Sequence, residues 1–125
     1  MAKLSGHTRR YIEENAAQVA GNFARRNGVV LLLKGAESFL AESDGLVWTY
    51  RGGHPGLGTS GSGDVLAGCI GGLAARGLDP FWAAAWGAHL HGSAGRHLAK
   101  TIGPTGFLAR EIADAIPTVL RTFQR

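Results

Sequence analysis

"GGHPGLGTSGSGDVLAG", Gly52–Gly68, sets seven glycines among seventeen residues and runs straight into an apolar stretch of helical character. Each ordered glycine costs more backbone entropy than any other residue, so such a density needs a reason. A nucleotide-triphosphatase loop is one reading. Gly56 and Gly61 have its glycine spacing, but Ser62 stands where that loop requires lysine. A dinucleotide fingerprint is another, since Gly56, Gly58 and Gly61 match Gly-x-Gly-x-x-Gly and Asp79 follows at a suitable distance. The surroundings argue against it: Asp79 has the context of a helix cap, and no second parallel strand precedes it. The third reading is a bare anion cradle, in which small residues from Gly58 to Gly63 let backbone N–H groups converge before a helix N-terminus. Thr59, Ser60 and Ser62 would add hydroxyls. A glycine turn that merely starts a helix remains open. Asp64 in the first helical turn is favoured by the helix dipole, and beside a bound phosphate it would orient or deprotonate an attacking hydroxyl.

Upstream, Thr8 to Arg26 has the pattern of one amphipathic helix, with Ile12, Ala16, Val19 and Phe23 on a stripe and Asn27-Gly28 as its stop. "VVLLLK", Val29–Lys34, predicts a strand buried on both faces, ended by Gly35. Lys34 at the strand's end is a candidate phosphate partner, or a lysine that snorkels to solvent. Ser38–Ala41 and Leu46–Tyr50 predict a hairpin around "ESDG".

Downstream, a helix is expected from Ser62 to Arg76, with Val65, Leu66, Cys69, Ile70 and Leu73 inward and Gly68, Gly71 and Gly72 inviting close approach by another backbone. Asp79-Pro80 starts the next helix, which runs to about Lys100 with Trp82, Trp86, Leu90 and His97 on one stripe. Trp82 and Trp86 are expected in the core or at a subunit contact. A last helix, Phe107–Thr122, should turn Leu108, Ile112, Ile116 and Val119 inward, and Pro117 should kink or split it. The fold class is therefore α/β: one buried strand plus a hairpin, with packed helices. A strand buried on both faces needs neighbours, so a homo-oligomer that completes the sheet is expected.

The 125 residues suffice for one domain, taken as 1–125. A formal charge of +4 without a polybasic run favours small anionic ligands and gives no sign of nucleic-acid binding. Arg9-Arg10 and Arg25-Arg26 have the character of solvated helix faces or ends. No run of about 18 apolar residues predicts a membrane span, and no secretory signal is evident, so a cytoplasmic protein is expected. Cys69, the only cysteine, excludes an internal disulfide and reads as a small core side chain. His89, His91 and His97 lack metal-site spacing, and no metal site is expected.

Three stretches, "VVLLLKG" (Val29–Gly35), "GHPGLGTSGSGDVLAG" (Gly53–Gly68) and "LHGSAG" (Leu90–Gly95), resemble in order and spacing the carboxyl-terminal part of the ATP- or ADP-dependent NAD(P)H-hydrate dehydratases. That family belongs to the ribokinase-like superfamily. The resemblance implies a repair reaction in which hydrated NADH or NADPH is dehydrated at the expense of ATP or ADP with Mg2+, its hydroxyl being phosphorylated and then eliminated. It implies that Asp64 is the base, that Gly61, Ser62 and Gly63 form the anion hole, and that Lys34, Gly35 and Ser38 touch the nucleotide phosphates. His91 would support packing or a hydrogen bond near the motif. Gly53-His54-Pro55-Gly56 has histidine where the family usually has asparagine, and Ser60 stands where it often has glycine. The family's amino-terminal half, which supplies most of a parallel sheet and the contact with the hydrated substrate, has no counterpart here. The chain thus reads as a truncated ribokinase-like domain that begins at its own methionine, its pocket completed by another copy or a separate chain. A binding-only relative is one alternative. A small-molecule kinase of the same superfamily is another, which the flank "HPGLGTSGSGD" disfavours.

Overall fold

The structure is a computed structural model that describes residues 1–124. The chain divides into two compact units, Met1–Arg51 and Gly52–Arg125.

In the first unit, a short helix α1 (Ala2–Ser5) precedes α2 (Arg9–Glu14) and α3 (Ala16–Asn27). The single expected helix is thus broken at Asn15, whose φ of −132° leaves the helical region. There the Asn15 side chain donates to the Tyr11 carbonyl at 3.0 Å, beside the Asn15 N–H that donates to the same oxygen. Thr8 caps α2 by accepting from Tyr11 N–H at 3.2 Å, and Gly28, left-handed at φ 63°, ends α3 as expected. Arg9 and Arg10 pair with Glu13 and Glu14 one turn on, as a solvated face does.

The sheet is antiparallel throughout, in the order β1 (Leu31–Leu33), β2 (Ser38–Ala41), β3 (Val47–Tyr50). Leu33 pairs Phe39, and Ala41 pairs Val47 across the hairpin turn. The hairpin forms where the sequence puts it. The strand before it differs from expectation: Leu31, Leu32 and Leu33 are only half-buried. One face of the sheet packs Leu31, Leu33, Phe39 and Val47 against Ala20 and Ala24 of α3. β1, however, is an edge with one paired neighbour, so it has no second strand to bury it.

The second unit opens with a 3-10 turn, Pro55–Gly58, followed by α4 (Ser62–Ala75), α5 (Pro80–Thr101) and α6 (Ala109–Arg121). Asp79 caps α5 by accepting from Phe81 N–H at 2.9 Å. Leu90, Ala94 and Leu98 of α5 share a core with Phe107, Ile112, Ala115 and Val119. Three expectations need correction. Gly68, Gly71 and Gly72 of α4 face open space, and the close helix approach lies at Gly87 of α5, where a Cβ would stand 2.5 Å from Ile70 Cγ1. Leu108 is 45% exposed and Phe107 takes the inward place. Finally, α6 runs unsplit through Pro117: Ala113 and Pro117 both lie on the exposed face, so the Ala113 carbonyl left without its helical partner is open to solvent. Among the described residues no helix is long and apolar enough to cross a membrane.

Candidate phosphate site at the start of helix α4

The approach to α4 is fastened at each step. Arg96 of α5 donates to the Gly52 carbonyl and, at 2.7 Å, to Ser93 Oγ. His54 caps the 3-10 turn: its Nδ1 accepts from Gly56 N–H at 3.1 Å, so a histidine performs the turn-capping bond an asparagine side chain would make. Gly56 is buried beneath Phe107. A Cβ there would come within 2.4 Å of the ring and 2.8 Å of the Pro104 carbonyl, so no side chain fits. Leu57 in turn fills the space above Gly95, the last residue of "LHGSAG".

The chain then reverses. Ser62 N–H donates to the Thr59 carbonyl at 3.2 Å, and Gly61 takes φ 82°, which β-carbon-bearing residues rarely adopt. The Gly61 carbonyl accepts from Asp64 and Val65 N–H, which closes the first turn of α4. Among the described residues no carbonyl or side chain accepts from Gly61 N–H or Gly63 N–H. These are the unpaired donors of a helix start, and the helix dipole adds partial positive charge to them. Gly63 and Asp64 are exposed, whereas Ser62 is 2% exposed, with its Oγ 2.9 Å from His91 Nε2. Ser62 therefore faces the core. Its hydroxyl is engaged by a histidine that is itself 3% exposed, which is the supporting bond expected of the "LHG" histidine.

Lys34, Gly35 and Ser38 lie in the first unit, around the connection from β1 to β2. Lys34 and Gly35 are exposed, and Ser38 opens β2, half-buried and paired with Tyr50. The neighbouring Glu37 is tied to Arg51. The candidate residues thus form two groups: Lys34, Gly35 and Ser38 on one turn, and Thr59, Gly61, Ser62, Gly63 and Asp64 at the mouth of α4. Sequence reasoning passed over Arg96 and Phe107. Arg96 directly follows "LHGSAG", a legible hint, but Phe107 lies in a connector, where only the packing against Gly56 reveals its role.

Two further groups are perturbed. Burial pushes the Cys69 thiol up, although the side chain is half-buried and lies outside the core expected for it. Burial, and then the Arg96 charge, hold the His89 imidazole below its ordinary range. Among the described residues no three His, Cys, Asp or Glu side chains are grouped to hold a metal ion.

A glycine turn that delivers unpaired N–H groups to a helix start, with a carboxylate one step on, has the geometry of an anion cradle in an α/β protein. The particular lineage follows from comparison: the chain belongs to the NAD(P)H-hydrate dehydratase family, whose sequence profile matches residues 1–118. It is 51% identical over 125 residues to an ADP-dependent (S)-NAD(P)H-hydrate dehydratase of Xanthomonas campestris, covering 100% of this chain and 43% of that protein. It is 46% identical over 124 residues to a bifunctional NAD(P)H-hydrate repair enzyme of Moorella thermoacetica, covering 99% of this chain and 23% of that protein. Its fold matches the ADP/ATP-dependent NAD(P)H-hydrate dehydratase of Bacillus subtilis, co-crystallised with ATP/Mg2+, with a TM-score of 0.92 and 28% identity over 98% of this chain and 44% of that one. The chain spans less than half the length of these relatives.

Proposed function

We propose that the chain carries the phosphate-handling part of an ADP- or ATP-dependent dehydratase that repairs hydrated NADH or NADPH. The observation that carries this reading is the first turn of α4, where Gly61 and Gly63 keep free N–H donors beside Asp64. The nucleotide supplies the phosphoryl group that turns the ring hydroxyl into a leaving group. Gly61 and Gly63 hold that phosphoryl group through their backbone N–H groups, Ser62 keeps the turn between them, and Asp64 takes the proton from the hydroxyl. Thr59 adds a hydroxyl donor at the rim. Lys34, Gly35 and Ser38, on the turn between β1 and β2, offer an ammonium and a hydroxyl suited to nucleotide phosphate. Mg2+ arrives on the phosphates, as it commonly does, and needs no protein cage.

The substrate's nicotinamide end and the open β1 edge are completed by a second copy or by a separate chain equivalent to the rest of the relatives' length. The exposed faces of α4 and Trp82 support that reading. A nucleotide substrate and a single cysteine agree with a cytoplasmic location. One second reading is a relative that binds nucleotide without turning over substrate.

The test incubates the protein with hydrated NADH, Mg2+ and ADP or ATP and follows NADH absorbance. Wild type is expected to form NADH, and Asp64→Asn to slow it by about 100-fold or more, the scale of a lost general base. Wild type indistinguishable from Asp64→Asn would sink the enzyme reading. Nucleotide titration then separates the binding-only relative from a protein with no site.

A further inference from the structure

A trans peptide couples two groups that point in opposite directions, the carbonyl of one residue and the N–H of the next. The Ser62–Gly63 peptide is such a coupling, since Ser62 is 2% exposed and Gly63 is open. On its buried side, Nε2 of His91 lies 3.0 Å from the Ser62 carbonyl oxygen. A carbonyl oxygen only accepts, so the tautomer that makes this bond carries its proton on Nε2, which also lies 2.9 Å from Ser62 Oγ and shares that N–H between the two oxygens. On the open side, the N–H of the same peptide has no acceptor among the described residues. His91 itself is 3% exposed, fixed between the buried Leu90 and Gly92 on α5.

We propose that His91 is a positioning residue of the anion cradle: its bond to the Ser62 carbonyl holds the Ser62–Gly63 peptide plane so that Gly63 N–H faces the bound phosphate. This rests on the reading of that cradle as a nucleotide-phosphate site. A hydrogen bond received by the carbonyl also polarises the peptide and makes its N–H a better donor, so one contact both aims and strengthens the second. The donor is buried, so it acts on the peptide from behind the cradle rather than from its open side.

The test compares His91→Gln, whose amide nitrogen replaces Nε2, with His91→Leu, which keeps bulk and lacks a donor. His91→Asn, whose amide falls short of the carbonyl, serves if the leucine variant does not fold. Two quantities are read on the full chain labelled with 15N: the residual dipolar coupling of the Gly63 N–H, and the affinity for Mg·ADP and Mg·ATP. His91→Leu and His91→Asn are expected to change the Gly63 coupling and to weaken nucleotide binding about tenfold, the scale of one hydrogen bond. His91→Gln is expected to keep the wild-type coupling and to bind within about threefold of wild type, a small part of that same loss. A Gly63 coupling unchanged in the leucine or asparagine variant overturns the proposal, and so does equal impairment of all three variants with matching losses of Tm. If wild type binds neither nucleotide, the proposed function fails at that point. The Gly63 coupling still decides whether His91 aims this peptide.

Discussion

His54 and Gly56 work as a pair within the motif. The histidine holds the turn through Nδ1, and the glycine leaves room for Phe107, so the loop is pinned from both sides before it reaches Gly61. Gly56→Ala must displace the ring or the Pro104 carbonyl, and it is expected to destabilise the fold by about 1–3 kcal/mol, read by denaturant melts. His89 makes a different prediction. Its imidazole, packed against the rings of Trp86 and Phe123 and near Arg96, is held below the ordinary value of 6.5, so the unfolded chain binds its proton more readily than the folded one. The contribution of His89 is present above pH 6.5 and is lost as pH falls through the lower folded value. Tm measured against pH should therefore fall less steeply on the acid side in His89→Gln than in wild type. Asp64 and the glycines around it were legible in the sequence because helix starts have a fixed chemistry. The Phe107 contact was not, because its partners lie about fifty residues apart and no local pattern records it.

α4 and α5 meet through one glycine. Gly87 admits Ile70, so Gly87→Ala is expected to cost about 1–3 kcal/mol by overpacking, measured by thermal or denaturant unfolding. Ile70→Ala in the same chain should recover part of that loss, because the two residues share one contact and their effects should not add. The helix ends and the hairpin turn were well marked by Thr8, Gly28, Asp79-Pro80 and Glu42–Gly45, where capping and turn chemistry act over a few residues. The continuity of α6 through Pro117 depends on whether the carbonyl that Pro117 leaves unpaired is open to solvent. That is decided by surroundings rather than by propensity.

At the scale of the molecule, the chain matches its relatives closely in fold while spanning less than half their length. Gly68, Gly71 and Gly72 then have a testable meaning. They have open space in front of them, so Gly71→Ala should leave the isolated chain's Tm unchanged or raise it, by up to about 1 kcal/mol in stability. If a second copy or a separate chain covers this face, a bulkier Gly71→Leu should weaken that association without unfolding the chain. Sedimentation velocity across a concentration series reads the effect. A wild type that stays monomeric throughout removes the second copy as the covering partner.

The sequence by itself determined the lineage, the hairpin, the helix starts and the glycine-to-aspartate junction, because capping, turn geometry and motif spacing are written in neighbouring residues. Tertiary structure alone decided that β1 is a half-buried edge, that Gly87 rather than Gly68, Gly71 or Gly72 is the point of close approach, and that His91 stands behind the Ser62–Gly63 peptide. Burial and contact depend on what packs opposite, and an apolar run or a glycine stripe carries no record of whether its partner is present.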